Sequence, residues 1–222
     1  MKKVYLTVDD APSKDFIKKV DFLHKEKIPA IFFCIGKMIK GNEDKLIYAI
    51  KKGFVIGNHS YSHKRFNLIS LRKVRKEISK TDSLINGLYE GVGVERKDKF
   101  FRFPYGIKGE GTKKDKIQNI LNEFGYKQPN FGDINYPHWK KFGLDRDLDV
   151  FWTIDAEEYM KPWKDVLKKL KQKNPKQGGN LFNEKSRDIL LIHDHENTTE
   201  VFFKIIKELK KMNIKFLSAS ST

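Results

Sequence analysis

The chain has 222 residues and a formal net charge of +16, from 45 basic and 29 acidic side chains. This length fits one domain, or at most two small ones, with a full hydrophobic core. No apolar run approaches the roughly 18 residues that would span a membrane. A strong positive charge favours anionic partners. The lysines, however, are spread over helical stretches, which indicates solvated helix faces.

The start of the sequence predicts a cytoplasmic protein. Only five strand-like residues, 4–8, separate Met-Lys-Lys from Asp9. That is too short for the core of a signal peptide, and no small-residue cleavage site follows. The single cysteine, Cys34, excludes a disulfide within the chain and fits a reducing compartment. A secreted domain without its leader would have the same sequence, so that alternative stays open.

Strand-like apolar runs alternate with amphipathic helical stretches along the chain. In chain order the pattern predicts strands at 4–8, 29–36, 54–56, 100–103, 149–154, 189–192 and 214–217. Helices are predicted at about 13–27, 43–52, 70–89, from 112 onward, at 162–172 and at 197–213. Ser13 is the expected cap of the first helix. This alternation predicts an α/β fold with a parallel sheet. The number of units favours a distorted TIM-like barrel in a single domain, with an open doubly wound sheet as second choice.

Clusters of polar residues follow five of the predicted strands. They lie at 9–10, 59–63, 102–106, 155–159 and 193–195. Each cluster alone could be a helix cap or a surface ion pair. In a parallel barrel, however, the carboxyl ends of the strands share one face, and that face carries the active site. The sequence therefore predicts one site built from all five clusters.

The spacing of His59 and His63 suggests a metal centre. Two imidazoles four residues apart can meet on one side of a helical turn. With a nearby carboxylate they would supply three ligands and leave a position open, as in catalytic zinc sites. This indicates a metal-dependent enzyme that activates water, although the spacing alone also fits an ordinary surface helix.

Four motifs resemble, in order and spacing, the signatures of the polysaccharide deacetylases, carbohydrate esterase family four with its NodB-homology domain. They are Thr-Val-Asp-Asp at 7–10, His-Ser-Tyr-Ser-His at 59–63, Arg-Phe-Pro-Tyr-Gly at 102–106 and Leu-Ile-His-Asp at 191–194. The resemblance covers nearly the whole chain. It implies a distorted barrel acting as one catalytic domain over 1–222. It also implies a divalent metal and hydrolysis of an N-acetyl or O-acetyl group on a sugar.

The resemblance also implies individual roles. By position, Asp9 would be the catalytic base and Arg102 its partner, and the metal ligands would be Asp10, His59 and His63. The backbone N–H of Tyr105 would donate to the oxyanion. His193 would be the acid, and Leu191 would form part of the acetyl pocket. Carboxylate and imidazole ligands suit zinc, with cobalt or nickel as alternatives.

The chain departs from the family pattern near the fourth motif. Glu158 and Tyr159 stand where the family usually has Asp-Trp. Either Glu158 or Asp155 could therefore support His193. Tyr159, Trp152 and His195 are expected to line the substrate site.

Three functional hypotheses remain at this stage. The first is a metal-dependent deacetylase acting on an N-acetylated sugar, either a polymer or a small or lipid-linked amino sugar. The second is a carbohydrate-binding barrel with weak or no catalysis. The presence of all six principal motif residues argues against it: Asp9, Asp10, His59, His63, Arg102 and His193. The third is a basic nucleic-acid-binding protein, but no recognisable nucleic-acid-binding motif is present. We expect no specific nucleic acid and no membrane insertion, and the sequence predicts no oligomeric state.

Overall fold

The centre of the fold is a parallel sheet, seen in a computed structural model that describes residues 1–175 and 178–219. Its strands are β1 (Lys3–Ala11), β2 (Ala30–Cys34), β3 (Val55–Asn58), β4 (Ile154–Asp155), β5 (Asp188–His193) and β6 (Lys215–Phe216). They lie in the order β3-β2-β1-β5-β4, with β6 beside β1. Every pairing is parallel. β2 and β5 are buried along their whole length, as expected for strands covered on both faces.

Two irregular segments close this sheet into a distorted barrel. Segment 100–102 lies beside β3. Segment 150–153 is hydrogen-bonded to segment 100–102 on one side and to β5 on the other. The closing hydrogen bonds run from Asn58 N to Phe100 O (2.8 Å), Arg102 N to Asn58 O (3.0 Å), Val150 N to Phe101 O (2.8 Å) and Thr153 N to Ile189 O (3.0 Å). The predicted distorted barrel is confirmed, and the open doubly wound sheet is wrong.

Eight helices within the described residues surround or cap the barrel. They are α1 (Phe16–Lys25), α2 (Gly36–Ile39), α3 (Glu43–Lys51), α4 (Leu71–Glu90), α5 (Gly111–Glu123), α6 (Pro137–Lys141), α7 (Trp163–Leu170) and α8 (Thr199–Lys211). Each of the longer ones buries one apolar stripe, as Val74, Ile78 and Ile85 show on α4. None of the described helices is long and apolar enough to cross a membrane.

Alternation along β1 divides the core into two layers. Val4 and Val8 pack against the outer helices, whereas Tyr5 packs inside the barrel. Because successive side chains point to opposite faces of a strand, Thr7 and Asp9 follow Tyr5 into the interior. Segment 131–144 fills the interior beside Tyr5, where Phe131 makes an edge-on ring contact at 4.9 Å. The interior is therefore a packed core with polar side chains at one mouth.

The predicted strands at 100–103 and 149–154 are mostly irregular. Phe101 makes an isolated bridge to Asn58, and regular pairing resumes only at β4. The reason is the buried Arg102 side chain, whose Nε donates to the carbonyl of Val150 at 2.9 Å. A side-chain hydrogen bond thus replaces part of the regular backbone hydrogen bonding between these two segments. The expected helix cap at Ser13 is also wrong, since α1 begins at Phe16 without a side-chain cap.

Close packing beneath the mouth makes Gly57 on β3 sensitive to substitution. A Cβ there would lie 2.6 Å from the Phe33 ring and 3.2 Å from the Phe100 carbonyl oxygen. We expect Gly57→Ala to lower the free energy of unfolding by about 1–3 kcal/mol, because the core must shift to accommodate it. Chemical denaturation measures the change.

Gly87 provides the matched control for this substitution. It lies in the last turn of α4, is exposed, and a Cβ there would have no neighbour within 4 Å. Gly87→Ala should therefore raise the free energy of unfolding by about 0.5–1 kcal/mol. Equal effects of the two substitutions would contradict the packing argument.

Candidate active site

A bulge at the end of β1 brings Asp9 and Asp10 to the same mouth of the barrel. In a regular strand these neighbours would point to opposite faces. The register with β2 shifts between Val8 and Ala11, and Asp10 has a φ of 63°. As a result, Oδ2 of Asp9 and Oδ1 of Asp10 each lie 3.6 Å from Nε2 of His59.

The histidine pair lies in a tight loop after β3, so the helical turn suggested by its spacing is wrong. Ser60 and His63 both have positive φ angles, 63° and 57°. The loop is held by Asn58 Oδ1, which accepts from Ser60 N–H at 2.8 Å, and by Ser60 Oγ, which accepts from His63 N–H at 3.1 Å. This folding brings the two Nε2 atoms within 3.2 Å of each other.

The Asp10, His59 and His63 side chains fit a divalent cation. Oδ1 of Asp10 lies 3.1 Å from His63 Nε2 and 3.6 Å from His59 Nε2. Metal bonds of about 2.0–2.2 Å at tetrahedral angles would separate ligand atoms by about 3.3–3.6 Å. Oδ1 is buried and, among the described residues, has no partner with hydrogen-bond geometry. A cation would satisfy this oxygen.

Neighbouring groups fix the ionisation and orientation of these ligands. Burial would raise the pKa of Asp10, but the hydrogen bond from His195 and the adjacent imidazoles of His63 and His59 hold it well below its usual range. Nδ1 of His59 lies 2.9 Å from the Arg102 carbonyl, which turns Nε2 toward the mouth. Burial lowers the pKa of His59, which favours the neutral, ligating form.

Asp9 is held by a buried ion pair. Nη1 of Arg102 donates to Asp9 Oδ1 and to Thr7 Oγ, each at 2.8 Å. Arg102 and Asp9 are only 1% and 4% exposed. This contact occupies one carboxylate oxygen of Asp9 and leaves Oδ2 toward His59, so Asp9 presents a single basic oxygen to the cavity.

His193 lies at the end of β5, where it is the register partner of Asp9 on β1, and it contacts Glu158. Its Nδ1 is 3.4 Å from Glu158 Oε1, and the same oxygen accepts the His193 backbone N–H. Burial alone would lower the pKa of His193, but the contact of its Nδ1 with the Glu158 carboxylate and the charges of Glu158, Asp9 and Asp155 raise it to about 9. Asp155 is close enough to share a cluster with both, and burial raises its own pKa. Glu158 is thus the carboxylate in direct contact.

A cavity of about 870 Å³ joins these groups. All the side chains singled out from the sequence line it, except Arg102 and Glu158, which lie behind it. Tyr105 and Tyr159 both line the cavity, with ring centroids 4.6 Å from His63 and 4.4 Å from His193, respectively. Trp152 stacks on Phe151 at 4.3 Å, and Leu191 lies in the cavity wall on β5.

Two groups that matter to the site were missed at the sequence level. Thr7 shares the guanidinium of Arg102 with Asp9, and period-two alternation on β1 could have revealed it. Lys19 is fully buried and pairs with Asp194 at 2.6 Å. Lys19 lies in the apolar stripe of α1 with Phe16 and Leu23, and this position in the helical pattern could have predicted a buried, paired lysine.

Comparisons with known proteins agree with this geometry. The model of the family described as polysaccharide deacetylase matches residues 1–129. A peptidoglycan-N-acetylglucosamine deacetylase from Bacillus cereus is 35% identical over 109 residues, covering 47% of this chain and 36% of the relative. In each of the first four curated relatives, the chain covers less than half of the relative's length.

Two solved structures share the fold. A family 4 carbohydrate esterase from Streptomyces lividans in complex with acetate has a TM-score of 0.68 at 21% identity, covering 97% of this chain and 91% of that one. A family 4 pseudoenzyme from Bacillus anthracis also has a TM-score of 0.68, at 22% identity over 97% of this chain and 63% of that one. The family model spans more than half of the sequence, and the chain belongs to the polysaccharide deacetylase family.

The contact between Glu158 and His193 predicts a pH dependence of stability. A His with a pKa of about 9 in the fold, against about 6.5 when unfolded, stabilises the fold below pH 6.5 and loses that contribution as pH rises through 9. In chelator-treated protein, Glu158→Gln should lower the His193 pKa, measured by NMR of the imidazole. It should also reduce the loss of unfolding free energy between about pH 6 and about pH 9.5.

Glu157→Gln is the control for this change. Glu157 is the preceding residue, is one-third exposed and pairs with Lys169 at 2.8 Å. The Glu157→Gln substitution should leave the His193 titration as in wild type. An unchanged titration in Glu158→Gln would show that Glu158 does not hold the imidazolium.

Proposed function

We propose that this protein is a metal-dependent hydrolase that removes acetyl groups from an N-acetylated amino sugar, with residues 1–222 acting as one catalytic domain. One observation carries the proposal. The three candidate metal ligands, an Arg-held carboxylate and a Glu-held imidazole all converge on one cavity. Family membership supports the reaction class, and the name of the Bacillus cereus relative supports an amino sugar as substrate.

Asp10, His59 and His63 are the residues that would hold the cation. A divalent ion bound there would lower the pKa of water and polarise the acetyl carbonyl. Two imidazoles and one carboxylate favour zinc, with cobalt or nickel as substitutes. The backbone N–H of Tyr105 is assigned, from the family resemblance, to the carbonyl oxygen as negative charge develops on it. A backbone donor is effective in this role because it is fixed in place before the reaction.

Asp9 is the proposed general base. Its Oδ1 is occupied by Arg102, so Oδ2 is the oxygen free to take a proton from the attacking water. Arg102 itself is held by the Val150 carbonyl and Thr7 hydroxyl, so the carboxylate cannot rotate without breaking buried hydrogen bonds. Fixed orientation of the base is what makes proton removal efficient.

His193 is the proposed general acid for the leaving amine. A neutral amine leaves far more readily than an amide anion, so it must receive a proton. The raised pKa of His193 keeps the imidazolium available near neutral pH. The Glu158 carboxylate faces Nδ1 at 3.4 Å, which leaves Nε2 for the substrate nitrogen. The same groups could hydrolyse an acetyl ester, which needs the acid less.

The cavity wall suggests how a sugar is held. Leu191 supplies an apolar contact for the acetyl methyl group, and Tyr159 replaces the Trp usual in the family. Trp152 and Tyr105 offer further apolar surface on the rim. This volume admits one or more sugar rings, so both polymers and small amino sugars remain candidate substrates. A cytoplasmic location stays a prediction.

Acetate release across a panel of substrates tests the proposal. The panel should contain N-acetylglucosamine, its oligomers, peptidoglycan fragments and acetylated xylan, each with enzyme as purified, stripped by chelator and reloaded with zinc or cobalt. We expect release from an N-acetylated sugar, loss on stripping and recovery on reloading. Metal and sugar binding without acetate release would instead indicate a carbohydrate-binding barrel. Release unaffected by stripping would refute the metal requirement.

Substitutions at the two adjacent aspartates should separate their roles. Asp9→Asn should keep the metal and lower turnover about a hundred- to ten-thousand-fold, because it removes only the base. Asp10→Ala should lose both metal and turnover, because it removes a ligand. Elemental analysis and acetate release measure the two properties. Near wild-type turnover in Asp9→Asn would overturn the assignment of the base.

A further inference from the structure

The two carboxylate oxygens of Asp10 have different surroundings. Oδ1 faces the Nε2 atoms of His59 and His63. Oδ2 accepts a hydrogen bond from Nε2 of His195 at 2.8 Å. Thus one oxygen is engaged by protein and the other is left for a cation. Without that bond, either oxygen could turn toward the imidazoles, or both could bind at once.

The backbone of His195 is firmly anchored. Its carbonyl accepts from Lys19 Nζ at 2.9 Å and from Thr198 Oγ at 2.9 Å. The preceding residue, Asp194, also pairs with Lys19 and accepts from Ser13 N–H at 2.6 Å. Lys19 and Asp194 are almost completely buried. The loop that carries His195 is therefore fixed against α1.

The loop also fixes the distance between His195 and Asp10. The backbone N–H of Asp194 donates to the carbonyl of Asp9 at 2.8 Å, which ties the loop to the end of β1. The His195 side chain is about one-third exposed, with Tyr159 against it at a ring distance of 5.3 Å. Its Nε2 is already committed to Asp10, so His195 does more than line the substrate cavity.

We propose that His195 is a positioning residue for Asp10: its Nε2–H holds Oδ2 and thereby presents Oδ1 as a single metal-ligand oxygen. The inference rests on the metal site of the proposed function. A neighbour that hydrogen-bonds the non-ligating oxygen fixes a carboxylate in its productive orientation and strengthens metal binding. Such a one-oxygen contact also leaves coordination positions open for water and substrate.

The experiment compares one substitution that removes the N–H donor with one that keeps an N–H donor. His195→Phe keeps an aromatic ring beside Tyr159 but removes the donor, whereas His195→Gln keeps an N–H at a similar reach. Dissociation constants for Zn²⁺ and Co²⁺ are measured by competition with a chromophoric chelator. Because partners of this kind typically contribute 10–100-fold, we expect His195→Phe to bind each metal about 10–100-fold more weakly. His195→Gln should recover most of the affinity.

His24→Phe is the matched control, since His24 is an exposed residue on α1 and is not among the residues that line the cavity. It should bind both metals as wild type does. The absorption spectrum of the Co²⁺ form provides a second measurement. The number of nitrogen ligands should be the same in wild type and His195→Phe, because His195 acts through Asp10.

Three outcomes would overturn the inference. They are unchanged affinity in His195→Phe, equal weakening in His195→Phe and His195→Gln, and loss of a nitrogen ligand in the Co²⁺ spectrum, which would make His195 a ligand itself. These readouts do not depend on acetate release. If the protein binds metal with the expected ranking but releases no acetate, the proposed reaction fails and the role of His195 stands.

Discussion

The buried guanidinium of Arg102 is the interaction on which the rest of the mouth depends. It binds Asp9 and Thr7 on β1 and the carbonyls of Val150 and Phe151 on the closing segment. The backbone of the same residue bonds Asn58 on β3 and accepts from His59. One residue thus joins three walls of the barrel and touches both the proposed base and a candidate metal ligand. Removing it would leave Asp9 as an uncompensated buried charge, which typically costs about 3–5 kcal/mol.

The charges of the site are balanced pair by pair, although the chain as a whole is strongly basic. Arg102 neutralises Asp9, His193 faces Glu158, and Lys19 neutralises Asp194. Asp10 is the carboxylate whose partners are all imidazoles. An incoming cation would therefore meet the negative charge of the Asp10 carboxylate. A cation bound at Asp10 would thus complete the charge balance of the site.

The sequence predicted most of the architecture because strand patterning and motif order are local properties. Strand positions at 4–8, 29–36 and 189–192 correspond to β1, β2 and β5. The irregular segments at 100–103 and 149–154 could not be predicted, because a side chain from elsewhere replaces their backbone partners. The loop that joins His59 and His63 depends on left-handed residues that spacing does not reveal. The choice between Glu158 and Asp155 depends likewise on a left-handed turn at Glu157.

Several residues at the mouth of the barrel have left-handed backbone conformations, which lower the stability of the fold. Asp10, Ser60, His63 and Tyr105 all adopt positive φ angles without being glycine. Each such conformation costs of the order of 1–3 kcal/mol and persists because the surrounding contacts enforce it. The mouth is thus a part of the barrel where the fold stores conformational strain. Glycine at Ser60 would relieve part of that strain, but it would also remove the hydroxyl that holds His63. Selection for thermal stability alone would therefore tend to erode the loop that brings the two histidines together.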